Sequence, residues 1–249
     1  VRVTLGVVVF SLLSSAGYLF NDTRDAAADR IYPRKRQRPI ASGRIAAGQA
    51  QRVAATLAVA GLLGAIALSI TFAIVGTAYV CGTVLYSIAL RRLPLVDVVA
   101  VAILFVLRVL AGAAAIDVPP SVWIITSTFA GALFVASVKR QQDRWLLGTE
   151  ASMHRYTTMP PARLQRWGTA IAIGAGVATT GLYAWYAAFA GNVPPGGMML
   201  MSWPFVPAAI IRYWYVAKAR PDRDADEIAF HDPWVLMAIV GFLVVAVGV

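Results

Sequence analysis

SLLSSAGYLFNDTRDAAADRIYPRKRQRPIASGRI, Ser11 to Ile45, decides how this chain is read. It begins apolar, then holds three aspartates within eight residues, Asp22, Asp25 and Asp29, and then runs through Arg34, Lys35, Arg36 and Arg38. The flanking stretches are almost free of charge. Spacings of three and four place the three carboxylates on one face of a helix, with Asn21 beside them. Three like charges on one face repel, so something must compensate them. One reading is a hard divalent cation such as Mg²⁺ held by the carboxylates. The other is a solvated helix end whose acids pair with Arg24 or Arg30. Pro33 is expected to end the helix and free the following cations to fold back.

The rest of the chain explains why this charge stands out. Of 249 residues, 59% are hydrophobic and 14% charged, against about 25% charged in a soluble domain. The chain therefore reads as an integral membrane protein, all-α and polytopic. A span needs roughly 20 apolar residues, and eight segments qualify: about Val1–Phe20, Val53–Ser69, Ile70–Leu90, Leu95–Ile116, Ser121–Val138, Trp167–Ala190, Met199–Val216 and Trp234–Val249. The joint at Ser69–Thr71 has no charge or proline; the length of the apolar run demands it. Val1–Phe20 lacks the small-residue cleavage site of a secretory leader and reads as a span. Cys81 is the one cysteine, which excludes an internal disulfide and is expected to serve packing.

Eight alternating spans put every basic loop on one side. Residues 21–52 carry eight Lys and Arg, 91–92 two, 139–166 six and 212–223 four, and the intervening turns none. By the positive-inside rule that side is the cytoplasm. The loops are about 21–52, 91–94, 139–166 and 217–232, within one membrane domain over 1–249. The net charge of +10 is thus a topology signal. Nucleic acid is not implied, because no soluble basic domain is present to bind it. Aromatics at Tyr183, Trp185, Tyr186 and Tyr213–Tyr215 fit an interfacial belt. GLLGAIALS and AIAIGAGVATTG supply small residues for close helix packing.

The pattern N-D-x-x-D-x-x-x-D at the end of a membrane helix resembles the first aspartate motif of the UbiA superfamily of intramembrane prenyltransferases. SLLSSAGYLFND, DRIYPRKRQRPIASGRI, LYSIALRRLPLVDVVAVAILFVLRVLAGAAA and RYWYVAKARPDRDADEIAFHDPWVL are similar to the branch that transfers phosphoribose to decaprenyl phosphate. The likeness covers nearly the whole chain. Members of the superfamily usually have nine spans; eight are read here, and the missing one would be the first.

The resemblance implies transfer of 5-phosphoribose from 5-phosphoribosyl diphosphate to polyprenyl phosphate at the cytoplasmic face of the cell membrane. The products would be polyprenylphosphoryl-5-phosphoribose, a precursor of cell-wall arabinan, and diphosphate. Asn21, Asp22, Asp25 and Asp29 would hold Mg²⁺ against the departing diphosphate. The lipid phosphate is already anionic, so neither a side-chain nucleophile nor a strong base is required. Arg34, Lys35, Arg36 and Arg38 suit the donor's remaining phosphate, or else meet lipid headgroups. Tyr18, one turn before Asp22, and Tyr86, Arg91 and Arg92 at the end of the third span complete the candidate contacts.

A second cluster, VKRQQDRWLLGTE, holds Lys139, Arg140 and Asp143. Prenyl diphosphate users of the superfamily carry two aspartates here; one acid and two cations suit a substrate with an extra phosphate. The branch shows a glutamate where Asp143 stands, and MHRYTTMPPARL fits it poorly; His154 reads as a loop residue. Asp97 and Arg108 share a face of the fourth span, about 16 Å apart by rise, too far to pair. Arg108 is expected to face the bundle interior, as a structural tie or a floor to the cavity. An aromatic prenyltransferase would share the fold and first motif, but not the basic second cluster. A cation transporter would need its acids near the midplane. A CDP-alcohol phosphotransferase would need a D-G-x-x-A-R arrangement, which is absent. A homo-oligomer is compatible with all of these readings.

Overall fold

The computed structural model describes residues 1–31, 35–155, 160–190 and 198–248, without the side chains of 147–155 and 247. Arg34, Pro33 and His154 therefore lie outside the described residues or side chains. Every long described element is a helix: α1 (Arg2–Asp29), α2 (Ala47–Leu68), α3 (Ile70–Ile88), α4 (Val96–Ile116), α5 (Val122–Arg155), α6 (Pro161–Phe189), α7 (Phe205–Ala219), α8 (Ala225–His231) and α9 (Pro233–Gly248). Lipid offers backbone groups no hydrogen bonds, and a helix satisfies them internally.

Six of the helices, α1 to α6, are long and apolar enough to cross a bilayer. The expected span Met199–Val216 is divided between a 3₁₀ turn at Met198–Ser202 and α7, whose 15 residues rise only about 22 Å. Pro204 immediately precedes α7, where a proline suits a helix start better than its interior. The last apolar segment, α9, follows α8 across a 73° bend. Among the described residues six helices thus have the length and apolarity of a crossing, or seven if the bent pair is one. Two helices outrun the apolar stretches that mark them. α1 carries its helix through the acidic motif to Asp29, and α5 continues from Val138 to Arg155. The expected loop at 139–166 is thus largely helical.

The joint that carried no proline is made by Ser69. Its backbone is extended (φ −170°, ψ 157°), and its Oγ accepts from the Phe72 amide at 3.0 Å. The hydroxyl caps α3 and takes up one of the donors left free at a helix start. Cys81, expected to serve packing, is exposed.

The chain divides into two compact units. The first comprises Val1–Arg92 and Ile103–Pro120. There α1 packs along α2 and α3, with Leu13 fully buried at the contact. A Cβ on Gly61 would lie 2.6 Å from Leu13 Cδ2 and 3.3 Å from the Leu13 backbone nitrogen, so this close approach needs a glycine. Gly61→Val should overpack the contact at a cost of about 1–3 kcal/mol. The check is thermal unfolding of the detergent-solubilised protein, and a parental melting temperature would contradict the packing described.

The second unit comprises Leu93–Ala102 and Ser121–Val249. α5 packs along α6, and α7 along α9. Phe134, Val138, Ala172, Tyr213, Val216 and Ile228 form its core. Asp232 anchors the bend before α9. It accepts from Arg212 Nε and Nη2 at 3.0 and 2.8 Å and from the amides of Trp234 and Val235. The Arg212 guanidinium, joined by the two amides, holds the Asp232 carboxyl below the usual carboxylate range. In both units large apolar side chains such as Leu63, Ile74, Val177 and Leu243 remain exposed, as lipid-facing surfaces do. The chain is an integral membrane protein.

Candidate functional site

The acidic face of α1 is met by cations from two other segments of its unit. Arg38, beyond a 3₁₀ turn at Lys35–Gln37, reaches back to the helix. Its Nη1 lies 2.9 Å from Asp22 Oδ1 and 3.0 Å from Asp29 Oδ2. One cationic nitrogen thus bridges two of the three acids. Asp29 is almost wholly buried beneath it, at 5% exposure. Asp25 turns the other way and pairs with Arg91, which follows α3. Asn21 Nδ2 donates to Asp25 Oδ2 at 3.0 Å, and the buried Ser87 Oγ donates to Asn21 Oδ1 at 3.1 Å. A chain Ser87–Asn21–Asp25–Arg91 therefore ties α1 to the end of α3.

This outcome differs in detail from both sequence readings. The acids are paired, but with Arg38 and Arg91 rather than with Arg24 or Arg30. Arg30 instead donates from Nε to the Ala41 carbonyl at 2.9 Å. Arg36 and Arg92 are exposed, and Lys35 and Tyr86 are half-buried and engaged. Ser87 escaped the sequence reading. A buried hydroxyl at the last turn of α3 is visible in sequence only as one more small residue of an apolar helix.

Divalent metal fits this donor set only in part. The oxygens are hard donors of the kind Mg²⁺ prefers, and two carboxylates already converge on one cationic atom. Among the described residues, however, no three Asp, Glu, His or Cys side chains gather around a common point, because Asp25 is drawn off to Arg91.

Tyr18 lies one turn before Asp22 and is exposed, with its hydroxyl accepting from Arg108 Nη2 at 2.9 Å. Arg108 also donates to Ser14 and Tyr79, so it faces the interior of its unit.

The second cluster is equally engaged within its own unit. Lys139 pairs with Asp224. Arg140 Nε lies 2.5 Å from Asp97 Oδ2, and Arg140 Nη1 lies 3.5 Å from Asp143. Asp97 is 1% exposed. Gln142 Nε2 donates to the Arg223 carbonyl at 2.9 Å, which helps hold the segment before α8 against α5. Asp224 carried no role in the sequence reading; the acid-rich DRDADE run around it was the only hint.

Long apolar helices, with acid and base gathered at the end of α1 and again midway along α5, where its apolar part gives way to a polar one, define a polytopic membrane protein with built polar clusters. The chain belongs to the UbiA prenyltransferase family, whose model matches residues 1–234. It is 32% identical over 238 residues to the decaprenyl-phosphate phosphoribosyltransferase of Mycolicibacterium smegmatis, covering 93% of this chain and 74% of that protein. The Mycobacterium tuberculosis (strain H37Rv) protein of the same name is 37% identical over 142 residues, 57% of this chain and 47% of that one. Among solved structures, a UbiA homolog from Archaeoglobus fulgidus bound to DMAPP and Mg²⁺ superposes with a TM-score of 0.73 at 15% identity, covering 100% of this chain and 88% of that one. The apo UbiA homolog from Aeropyrum pernix K1 gives 0.69 at 17%, covering 96% and 89%. At such identities the likeness is one of fold.

Proposed function

We propose that the protein transfers 5-phosphoribose from 5-phosphoribosyl diphosphate to a polyprenyl phosphate such as decaprenyl phosphate. The observation that carries this reading is the bridge from Arg38 to Asp22 and Asp29 at the end of a membrane helix. Cation-binding carboxylates and phosphate-binding guanidinium groups stand there within one hydrogen bond of each other. The relatives' name supports decaprenyl phosphate as the acceptor and phosphoribose as the group transferred.

In the proposed reaction a lipid phosphate oxygen bonds to the ribosyl C1 as the C1–diphosphate bond breaks, with the electron pair leaving on diphosphate. Asp22, Asp25 and Asp29, with the Asn21 carbonyl, would hold Mg²⁺, which supplies charge neutralisation for that leaving group. Arg38 and Arg91 neutralise the acids and are the groups best shaped to take phosphate oxygens in pairs. Lys139 and Arg140 are proposed as further phosphate contacts within their own unit. No side chain has to remove a proton from the acceptor. In this proposal the acidic end of α1 faces the cytoplasm, the side expected for the basic loops.

Purified protein in detergent, given Mg²⁺, polyprenyl phosphate and labelled 5-phosphoribosyl diphosphate, should move label into the lipid fraction, and EDTA should abolish the transfer. A parallel reaction receives a prenyl diphosphate and 4-hydroxybenzoate. Product in that reaction alone would replace the proposal with an aromatic prenyltransferase.

A further inference from the structure

Arg108 stands twelve residues into α4, about 18 Å from the start of that helix, where an unneutralised charge is costly. Its guanidinium is surrounded by neutral groups. Nη2 donates to Tyr79 Oη at 2.8 Å, Tyr18 Oη at 2.9 Å and Ser14 Oγ at 3.2 Å. The rings of Phe105, Tyr79 and Tyr18 lie 5.1, 5.5 and 5.7 Å from its carbon. Nε is buried with no acceptor. Among the described residues no carboxylate pairs with it, and the acids of its unit on α1 are taken by Arg38 and Arg91.

Aromatic faces and hydroxyls solvate a cation without cancelling its charge. Three hydroxyl acceptors on a nitrogen with two hydrogens also leave the remaining guanidinium donors for another partner. Arg108 also lines a cavity of about 240 Å³, otherwise bordered by apolar and small residues including Val3, Gly6, Phe10, Phe72 and Ala115. A lone cation at the edge of an apolar cavity calls for an anion carried on an apolar body. Tyr18 and Asp22 are one turn apart on α1, so an anion at Arg108 lies on the membrane side of the acids.

We propose that Arg108, framed by Tyr18 and Tyr79, binds the phosphate of the polyprenyl phosphate acceptor, with the adjoining isoprenoid chain in the apolar cavity. This deepens the proposed function and rests on it for the acceptor's identity. It assigns the acids to the leaving diphosphate and Arg108 to the attacking phosphate. 5-Phosphoribosyl diphosphate, polar throughout, has no place in that cavity.

The test measures binding and turnover separately on the full chain. Geranyl phosphate is the probe, with geraniol and inorganic phosphate in parallel. The parent should bind geranyl phosphate more tightly than either control. Arg108→Gln should weaken geranyl phosphate about tenfold or more, as loss of charge-assisted hydrogen bonds implies, and leave geraniol unchanged. In turnover the same variant should raise KM for polyprenyl phosphate about tenfold, with KM for 5-phosphoribosyl diphosphate held within about twofold. A merely structural tie would not separate the two substrates. Tyr18→Phe, at an exposed position, is the second variant should Arg108→Gln fail to fold, and should weaken geranyl phosphate about threefold. Unchanged affinity in the variant that folds overturns the proposal. So does equal binding of geraniol, or an inorganic phosphate affinity matching that of geranyl phosphate, which marks a free-anion site. A parent without phosphoribosyl transfer sinks the proposed reaction, whereas the binding measurements still decide the anion site.

Discussion

Asp25→Asn protein still inserts and folds, with a lowered melting temperature because Arg91 loses its charged partner, and loses phosphoribosyl transfer by about a hundred- to a thousandfold or more, the scale of removing one electrostatic contact to a developing charge. Asp22→Asn behaves in the same way. The reasoning starts from geometry. Asparagine keeps the shape of the side chain and can still meet Asn21, whose Nδ2 lies 3.0 Å from Asp25 Oδ2. The charge is lost, and with it the ion pair to Arg91. If the acids served merely to tether Arg38 and Arg91, the variants would show a small loss of stability and near-parental turnover. If they hold a cation against diphosphate, turnover collapses far beyond what that loss of stability explains. Stabilisation by added Mg²⁺ separates the cases independently of turnover: the parent should melt higher with the ion, and the variants should gain much less. Activity within a fewfold of the parent in both variants would sink the metal proposal.

Arg140→Ala should destabilise the second unit by about 3–5 kcal/mol, the usual cost of stripping one member from a buried ion pair. Asp97 is 1% exposed, and Arg140 Nε lies 2.5 Å from its carboxylate. The alanine leaves that carboxylate buried without its guanidinium. Replacing both members, with Asp97→Asn and Arg140→Gln together, should recover part of the stability, since no charge is then buried at position 97, although Asp143 still loses its contact with the guanidinium. The double variant should not recover transfer if Arg140 also contacts substrate phosphate. Thermal or denaturant unfolding in detergent reads the first effect and the lipid-labelling reaction the second. A parental melting temperature for Arg140→Ala would show that Asp97 does not depend on this pair.

Much of this was legible in the sequence, for identifiable reasons. The three aspartates lie on one face of α1 because their spacing matches the helical repeat, a purely local property. The apolar run of α2 and α3 is too long for one crossing, and Ser69, unremarkable in sequence, ends one helix and caps the next. The sequence expected Arg38 among the cations near the acids, and it does reach them. It did not distinguish Arg91, which pairs with Asp25, from its neighbour Arg92, which is exposed. Adjacent residues near a helix end point in different directions, and only the course of the chain after α3 selects one. Nor did it foresee a helix continuing to Arg155, because the polar run after Val138 lacks the hydrophobicity that marked the span. The segment from Met199 onward shows the converse: apolar enough for a span, it is broken by Pro204 and yields a short α7.

The sequence by itself determined the membrane class, the side of the basic loops expected at the cytoplasm, the acidic helix face and the family resemblance. These depend on composition, on charge placement and on spacings within single helices. Tertiary structure alone decided which cation serves which acid: Arg38 bridging Asp22 and Asp29, Arg91 on Asp25, Arg140 on Asp97. It also left Arg108 among hydroxyls and aromatic rings, with no carboxylate partner among the described residues. The physical reason is reach. A side-chain ion pair forms within a few ångströms, and residues tens of positions apart in sequence come that close only when helix packing brings them together.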